Sequence, residues 1–186
     1  MQTLYTTDRL ILKVQNASAA KEVLDFYIRN REHLRPFEPK KPDDFYTERY
    51  QAANLQAEYN GFMKFNYLRF WAYETEGSDA PIGTICYNYF RGGYYGNCEV
   101  GYKLDAAATG KGYAKEMLGF TAQLVYEEYK MHRIEALTLP ENGASIRLLE
   151  GLGFVREGLL HNVAQIDGTW RDHYLYTLLF ETSNSQ

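Results

Sequence analysis

The sequence predicts an α/β fold: a mixed, twisted β-sheet of about seven strands flanked by about four helices, in one domain over residues 1–186. Three observations carry this. Segments with strand alternation and segments with helical periodicity follow one another in the order β-α-α-β-β-β-α-β-α-β-β. A strand-like run, Cys98–Leu104, turns through glycines straight into an amphipathic helix. Two long runs near the end meet at Asp167-Gly168, a two-residue hairpin signal.

Leu10–Val14 reads as the first strand. Asn16 or Ser18 is placed to cap a helix with Ala20, Val23, Leu24, Tyr27 and Ile28 on one face. Pro36, Pro39 and Pro42 break it. A second helix is expected from about Asp43 to Tyr59, with Phe45, Tyr46, Tyr50, Ala53 and Leu55 on its face. Leu68–Glu74 and Ile82–Phe90 read as strands, and Arg91–Gly96 as the hairpin loop into Cys98–Leu104. The helix after the glycines places Ala114, Met117, Leu118, Thr121, Leu124 and Val125 on one side. Then come a strand, Arg133–Leu139, and a helix, Asn142–Leu152, with Gly153 as its stop. Val155–Gln165 and Thr169–Phe180 are the last strands, and Ser183–Gln186 is a polar tail.

Composition sets limits. The net charge of −4 gives no bulk reason to expect nucleic-acid binding. The basic pairs Lys40-Lys41 and Arg29 with Arg31 read as solvated surface. No apolar run approaches ~18 residues, so no membrane span is expected. The N-terminus lacks the charged and apolar regions of a signal peptide. Cys86 and Cys98 suit a reducing, cytoplasmic setting. A simple hairpin register puts Cys98 opposite Tyr89 rather than Cys86, so both cysteines read as packing residues.

Thr109-Gly110-Lys111-Gly112-Tyr113-Ala114 is the most informative segment. A strand that turns through glycines into a helix collects unpaired N–H groups and the positive end of the helix dipole at one spot. That is a main-chain pyrophosphate site, and Gly110 and Gly112 allow close approach. The dinucleotide pattern Gly-x-Gly-x-x-Gly fails, because Lys115 stands in the third glycine's place. The P-loop pattern fails, because the chain has no Gly-Lys-Ser/Thr. A second element follows one helix and one strand later: Asn142-Gly-Ala-Ser145, running on to Leu152-Gly153-Phe154.

Together these elements resemble the acetyl-CoA-binding core of the GNAT N-acetyltransferases. The family's glycine loop, Gln/Arg-x-x-Gly-x-Gly/Ala, is matched by Thr109, Gly112 and Ala114, with Thr109 departing from it. The later helix, Asn-x-x-Ser/Ala ending in Leu-Gly-Phe, is matched from Asn142. Asn30–Pro39, His132-Arg133-Ile134 and Ile166–His173 extend the likeness to the RimJ/RimL branch, the RimJ type in particular. The resemblance implies a GNAT fold, acetyl-CoA as co-substrate with no metal, and acetyl transfer to a primary amine. For this branch that amine is the N-terminal α-amine of a protein, ribosomal proteins included. Acetylation of a small amine, or a non-catalytic acyl-CoA-binding module, are the alternatives.

The chemistry asks for four things. The cofactor-binding candidates are the N–H groups of Gly110, Lys111, Gly112, Tyr113 and Ala114, with Val100, Tyr102 and Ser145 beside them and Asn142 capping its helix and meeting the cofactor arm. Lys111, Lys115 or Arg147 are placed to add charge. The resemblance puts an oxyanion-binding backbone N–H on the strand Cys98–Leu104, within Val100 to Tyr102. For the leaving thiolate, many family members use a tyrosine seven residues after the asparagine. Leu149 stands there, and the RimJ/RimL branch implies Ser145 instead.

The fourth need is a base for the incoming amine. Glu99 is the best-placed carboxylate, sharing a strand face with Gly101 and Lys103. Glu38, Asp172 and His173 are rivals, whereas His161 and His132 read as bland. A glutamate that RimL-type members carry before the last hairpin is replaced by Ala164. A free α-amine titrates near 7.7–8.0 and a lysine near 10.4, so a weak base suits an N-terminus better. Specificity is expected from the Arg31–Pro39 loop, the aromatic second helix and the hairpin at Asp167–Trp170. Glu38 and Asp172 are the substrate candidates, as acids that meet an ammonium. Monomer and dimer both remain open.

Overall fold

The computed structural model describes residues 2–77 and 79–181. One mixed sheet of eight strands runs through it in the order β1-β2-β3-β4-β5-β6-β8-β7. The strands are β1 Leu4–Thr6, β2 Leu10–Lys13, β3 Leu68–Glu74, β4 Gly83–Arg91, β5 Asn97–Leu104, β6 Arg133–Thr138, β7 Val155–Ile166 and β8 Thr169–Leu179. The helices are α1 Ala20–Arg29, α2 Arg31–Leu34, α3 Glu48–Met63, α4 Tyr113–Tyr129 and α5 Gly143–Glu150. All neighbours pair antiparallel except β5 and β6, which are parallel. The expected tail Ser183–Gln186 lies outside the described residues.

The two faces of the sheet differ. One buries Leu10, Leu12, Leu68, Phe70, Ile85, Tyr87, Val100, Ile134 and Ala136 against α4 and α5, which contribute Met117, Leu118, Val125 and Leu149. The other packs Trp71 and Tyr73 against Val23, Phe26 and Tyr27 of α1 and Leu55 of α3. Toward β4 and β5 this second face turns polar. The register lines up Arg69 with Cys86 and Gly101, Asn88 with Glu99, and Glu99 with Glu135. A sheet face that is apolar at one end and charged at the other is a core continuing into a polar trough.

Several elements differ from the sequence expectation. An eighth strand, β1, pairs with β2 through Leu4↔Lys13 to Thr6↔Ile11, and three residues are too few to show an alternation. The buried face of α1 uses Phe26 where Leu24 and Ile28 were expected; Ile28 is exposed. The second long helix begins at Glu48, not Asp43, because Thr47 is its cap and accepts from the Tyr50 N–H at 3.2 Å. Phe45 and Tyr46 therefore precede the helix, though they still pack with Tyr27 and Tyr50.

Other readings hold. Asn16 caps the turn that leads into α1. Gly153 ends α5 with φ +85°, while Gly153 N–H bonds the Glu150 carbonyl and Phe154 N–H the Leu149 carbonyl. Asp167 and Gly168 both take positive φ between Ile166 and Thr169, as a two-residue hairpin of this twist requires. Both cysteines are free, and burial pushes the Cys98 thiol up to about 12.

Candidate active site

β5 and β6 pair only over Asn97↔Arg133, Cys98↔Ile134 and Glu99↔Glu135. Beyond Glu99 they part. Val100–Leu104 stay paired to β4 and Ala136–Thr138 to β8, so each strand keeps its outer ladder. The two inner edges then face each other across an opening inside the sheet. Backbone donors and acceptors there lack strand partners, and buried groups of that kind need another partner. A ligand with amide groups of its own fits such a gap.

The glycine loop lies just past β5. Asp105 accepts from the Ala107 N–H and is held by Arg29 and Asn30, which fixes the turn Ala106–Ala108. Gly110 and Gly112 then adopt φ of +74° and +83°. No side chain caps α4. Among the described residues, the N–H groups of Gly110, Lys111, Gly112, Tyr113 and Ala114 find no acceptor. Five neighbouring donors at the start of a 17-residue helix form an anion cradle.

Arg9, just before β2, holds this loop. It donates to the Lys111 carbonyl at 2.9 Å, pairs with Glu116 and lies over the Tyr113 ring. A Cβ on Gly112 would stand 3.3 Å from its guanidinium. No local sequence signal marks Arg9 for this task.

Asn142 caps α5 by accepting from the Ser145 N–H at 3.1 Å. The Ser145 hydroxyl lies 2.6 Å from the Tyr102 hydroxyl, so a side chain of β5 reaches across the opening to α5. Burial pushes the Tyr102 phenol up to about 12, which keeps it protonated and able to donate. The sequence reading picked Tyr102 only for its main chain. Strand alternation does put it on the opposite face from Glu99, but its contact with Ser145 depends on tertiary packing. Leu149, where many family members carry a tyrosine, is fully buried in the core.

Glu99 is on the trough side of β5. Burial first, and then the neighbouring Glu135 carboxylate, raise its pKa above the usual value. Its side chain makes no hydrogen bond among the described residues, whereas Glu135 is held by Arg133 and Asn97. Opposite Glu99 on β4, the Asn88 side-chain oxygen is buried without a partner. Sequence reasoning did not single out Asn88, since nothing local distinguishes it.

The two substrate candidates lie elsewhere and are already engaged. Glu38 is gripped by Lys103 and, at 2.9 Å, by Lys41; their charges overcome the effect of burial and lower its pKa. Asp172 accepts from the Asn162 N–H at 2.8 Å and pairs with His161 beside the irregularity in β7. That backbone bond is the main cause of its lowered pKa. His173 is buried on β8. The basic pairs read as solvated surface are partly engaged too: Arg29 binds Asp105 and Lys41 binds Glu38.

Residues 9–155 match the family model described as an acetyltransferase (GNAT) domain. The chain belongs to the GNAT acetyltransferase family. It is 32% identical over 175 residues to the ribosomal protein uS5-alanine N-acetyltransferase of Escherichia coli, covering 93% of this chain and 89% of that one. It is also 32% identical over 160 residues to a Bacillus subtilis protein named a probable N-acetyltransferase, covering 86% and 88%. The crystal structure of a ribosomal-protein-S5-alanine acetyltransferase from Vibrio fischeri superposes with a TM-score of 0.90 at 27% identity, covering 96% and 97%. The protein is an acetyl-transferring enzyme with relatives of the RimJ/RimL type, and the GNAT fold expected from the sequence is the fold observed. No helix among the described residues is long and apolar enough to cross a membrane.

Proposed function

We propose that this enzyme moves the acetyl group of acetyl-CoA directly to the N-terminal α-amine of a protein, of the ribosomal kind, at the opening between β5 and β6. The observation that carries this reading is the placement of groups on the two sides of β5. Tyr102 and Ser145 meet on the α5 side, and Glu99 with Asn88 stands on the trough side, one strand thickness away. A thioester lying in the opening between them is reached by an acid from one side and an amine with its base from the other.

In this reading the main chain from Gly110 to Ala114 holds the pyrophosphate, and Asn142 and the free edge of β5 hold the arm. The amine nitrogen attacks the thioester carbon and gives a proton to Glu99. The carbonyl oxygen takes the developing charge, and a backbone N–H within Val100 to Tyr102 stabilises it. The carbon–sulfur bond then breaks, its electron pair stays on sulfur, and the thiolate takes the Ser145 proton while Ser145 takes the Tyr102 phenol proton, which solvent restores. Tyr102, donating to Ser145, turns that proton toward the sulfur. Neither cysteine enters the scheme: Cys98 is a buried, protonated thiol, and Cys86 faces Gly101 across β4 and β5.

The α-amine is favoured as acceptor by physical chemistry and by the relatives. A carboxylate with a modestly raised pKa deprotonates a group near 7.7–8.0 far more readily than one near 10.4. Mass spectrometry of peptides incubated with enzyme and acetyl-CoA tests the proposal. One set has free Ala, Ser or Met N-termini; a second has blocked N-termini and a free lysine; a third contains small amines. Acetylation confined to the first set is the expected result. Acetylation of small amines alone overturns the protein-N-terminus assignment and leaves the fold and co-substrate standing.

A further inference from the structure

The Arg31–Pro39 loop and the β7–β8 hairpin, read from sequence as specificity elements, enclose a cavity of about 370 Å³ on the trough side of the sheet. The hairpin tip is tied to the loop by the Asp167 N–H, which donates to the Glu38 carbonyl at 3.0 Å. The wall carries Arg31, Arg35, Lys40 and Lys41 against Glu38, Asp43 and Asp167. The carboxylates are largely spoken for. Glu38 is shared between Lys41 and Lys103, a further cation that reaches in from β5, and Asp167 faces Arg35 at 3.8 Å. Among the described residues, Arg31 lies over the Tyr46 ring at 4.7 Å and pairs with no carboxylate. Lys40 likewise has no carboxylate partner there, while Arg35 also pairs with Glu32 at 3.6 Å.

We infer that this cavity binds an acidic side chain of the acceptor, three to five residues from the reacting N-terminus. The inference rests on the α-amine reading above. Charge supplies the class of ligand: five cations stand around three lining carboxylates and Glu32, which pairs with Arg35 at 3.6 Å, so the cavity stays positive, and Arg31 rests over Tyr46 with no carboxylate partner among the described residues. Distance supplies the position. Lys103, which grips the Glu38 of the cavity wall, stands about 7 Å along β5 from Gly101 at the strand's usual rise. Its side chain and Glu38 add a similar span, so the cavity begins roughly 10–15 Å from the opening. An extended acceptor covers at most ~3.3–3.6 Å per residue, which brings its third to fifth side chains there.

The test is a charge series on one peptide. The N-terminal dipeptide is kept constant while Glu, Gln or Lys occupies the third, fourth or fifth position, and kcat/KM for acetylation is measured. At one of these positions Glu is expected to exceed Lys by roughly fivefold or more, the size of an exposed charge contact, chiefly through KM and less so at high salt. Arg31→Glu is expected to invert that ratio, which is read within the same variant whatever its total activity. Should Arg31→Glu fail to fold, the wild-type series and its salt dependence decide alone. Equal kcat/KM for Glu, Gln and Lys with free N-termini acetylated overturns the cavity's role and leaves the α-amine reading intact. No acetylation of any peptide N-terminus overturns both.

Discussion

Under the proposed mechanism, Glu99 is where burial and catalysis pull in opposite directions. Its raised pKa comes from burial and from Glu135, so its ionised form is disfavoured in the folded enzyme. A carboxyl whose folded pKa lies above its unfolded one costs stability as pH rises through that interval, because the unfolded chain ionises there while the folded state still holds its proton. The base, however, works only when ionised. Activity is therefore expected to fall as pH drops through a pKa above the ordinary glutamate range. Glu99→Gln should remove that limb of the pH–rate profile, lower kcat by about a hundredfold or more, and raise Tm slightly at neutral pH. A Glu99→Gln variant with unchanged kcat and profile gives the base role to another group. Glu99 was legible in the sequence by its place on the strand before the glycine loop. Asn88, its neighbour across β4, was not, because a buried oxygen without a partner is a property of the folded sheet.

Two elements, β5 and α5, meet through one hydrogen bond. The Tyr102–Ser145 contact spans the opening, and the account gives both hydroxyls a single task. Ser145→Ala is expected to lower kcat by ~10²-fold or more and Tyr102→Phe by about tenfold, with little change in the Kd of acetyl-CoA. The double variant should be no slower than Ser145→Ala, since residues acting as a unit are not additive. Fully additive losses in kcat contradict the pairing. The element boundaries show what pattern reading captures. The start of α5 at Asn142 and its stop at Gly153 follow from cap chemistry, which is local. α3 starts five residues later than its pattern predicts, because the aromatic pair Phe45-Tyr46 carries helical spacing while the Thr47 cap fixes the true start. β1 and α2 are three and four residues long, too short to show a period.

At the scale of the molecule, topology makes the site. Seven of the eight strands and the glycine loop were readable, because each has its own periodicity or turn. The parting of β5 from β6 after Glu99 has no local signal; it arises when β6 follows β8 while β5 follows β4. Likewise Arg9, near the N-terminus, holds a loop a hundred residues later, and Glu38 is bound by Lys103, contacts that only the closed sheet brings together. Amide hydrogen exchange with and without CoA tests the central claim most directly. The account predicts slowed exchange on ligand binding at Val100–Leu104 of β5, Ala136–Thr138 of β6 and Gly110–Ala114 of the loop, with β7 and β8 little affected. Binding of CoA without protection at the free edges of β5 and β6 contradicts it.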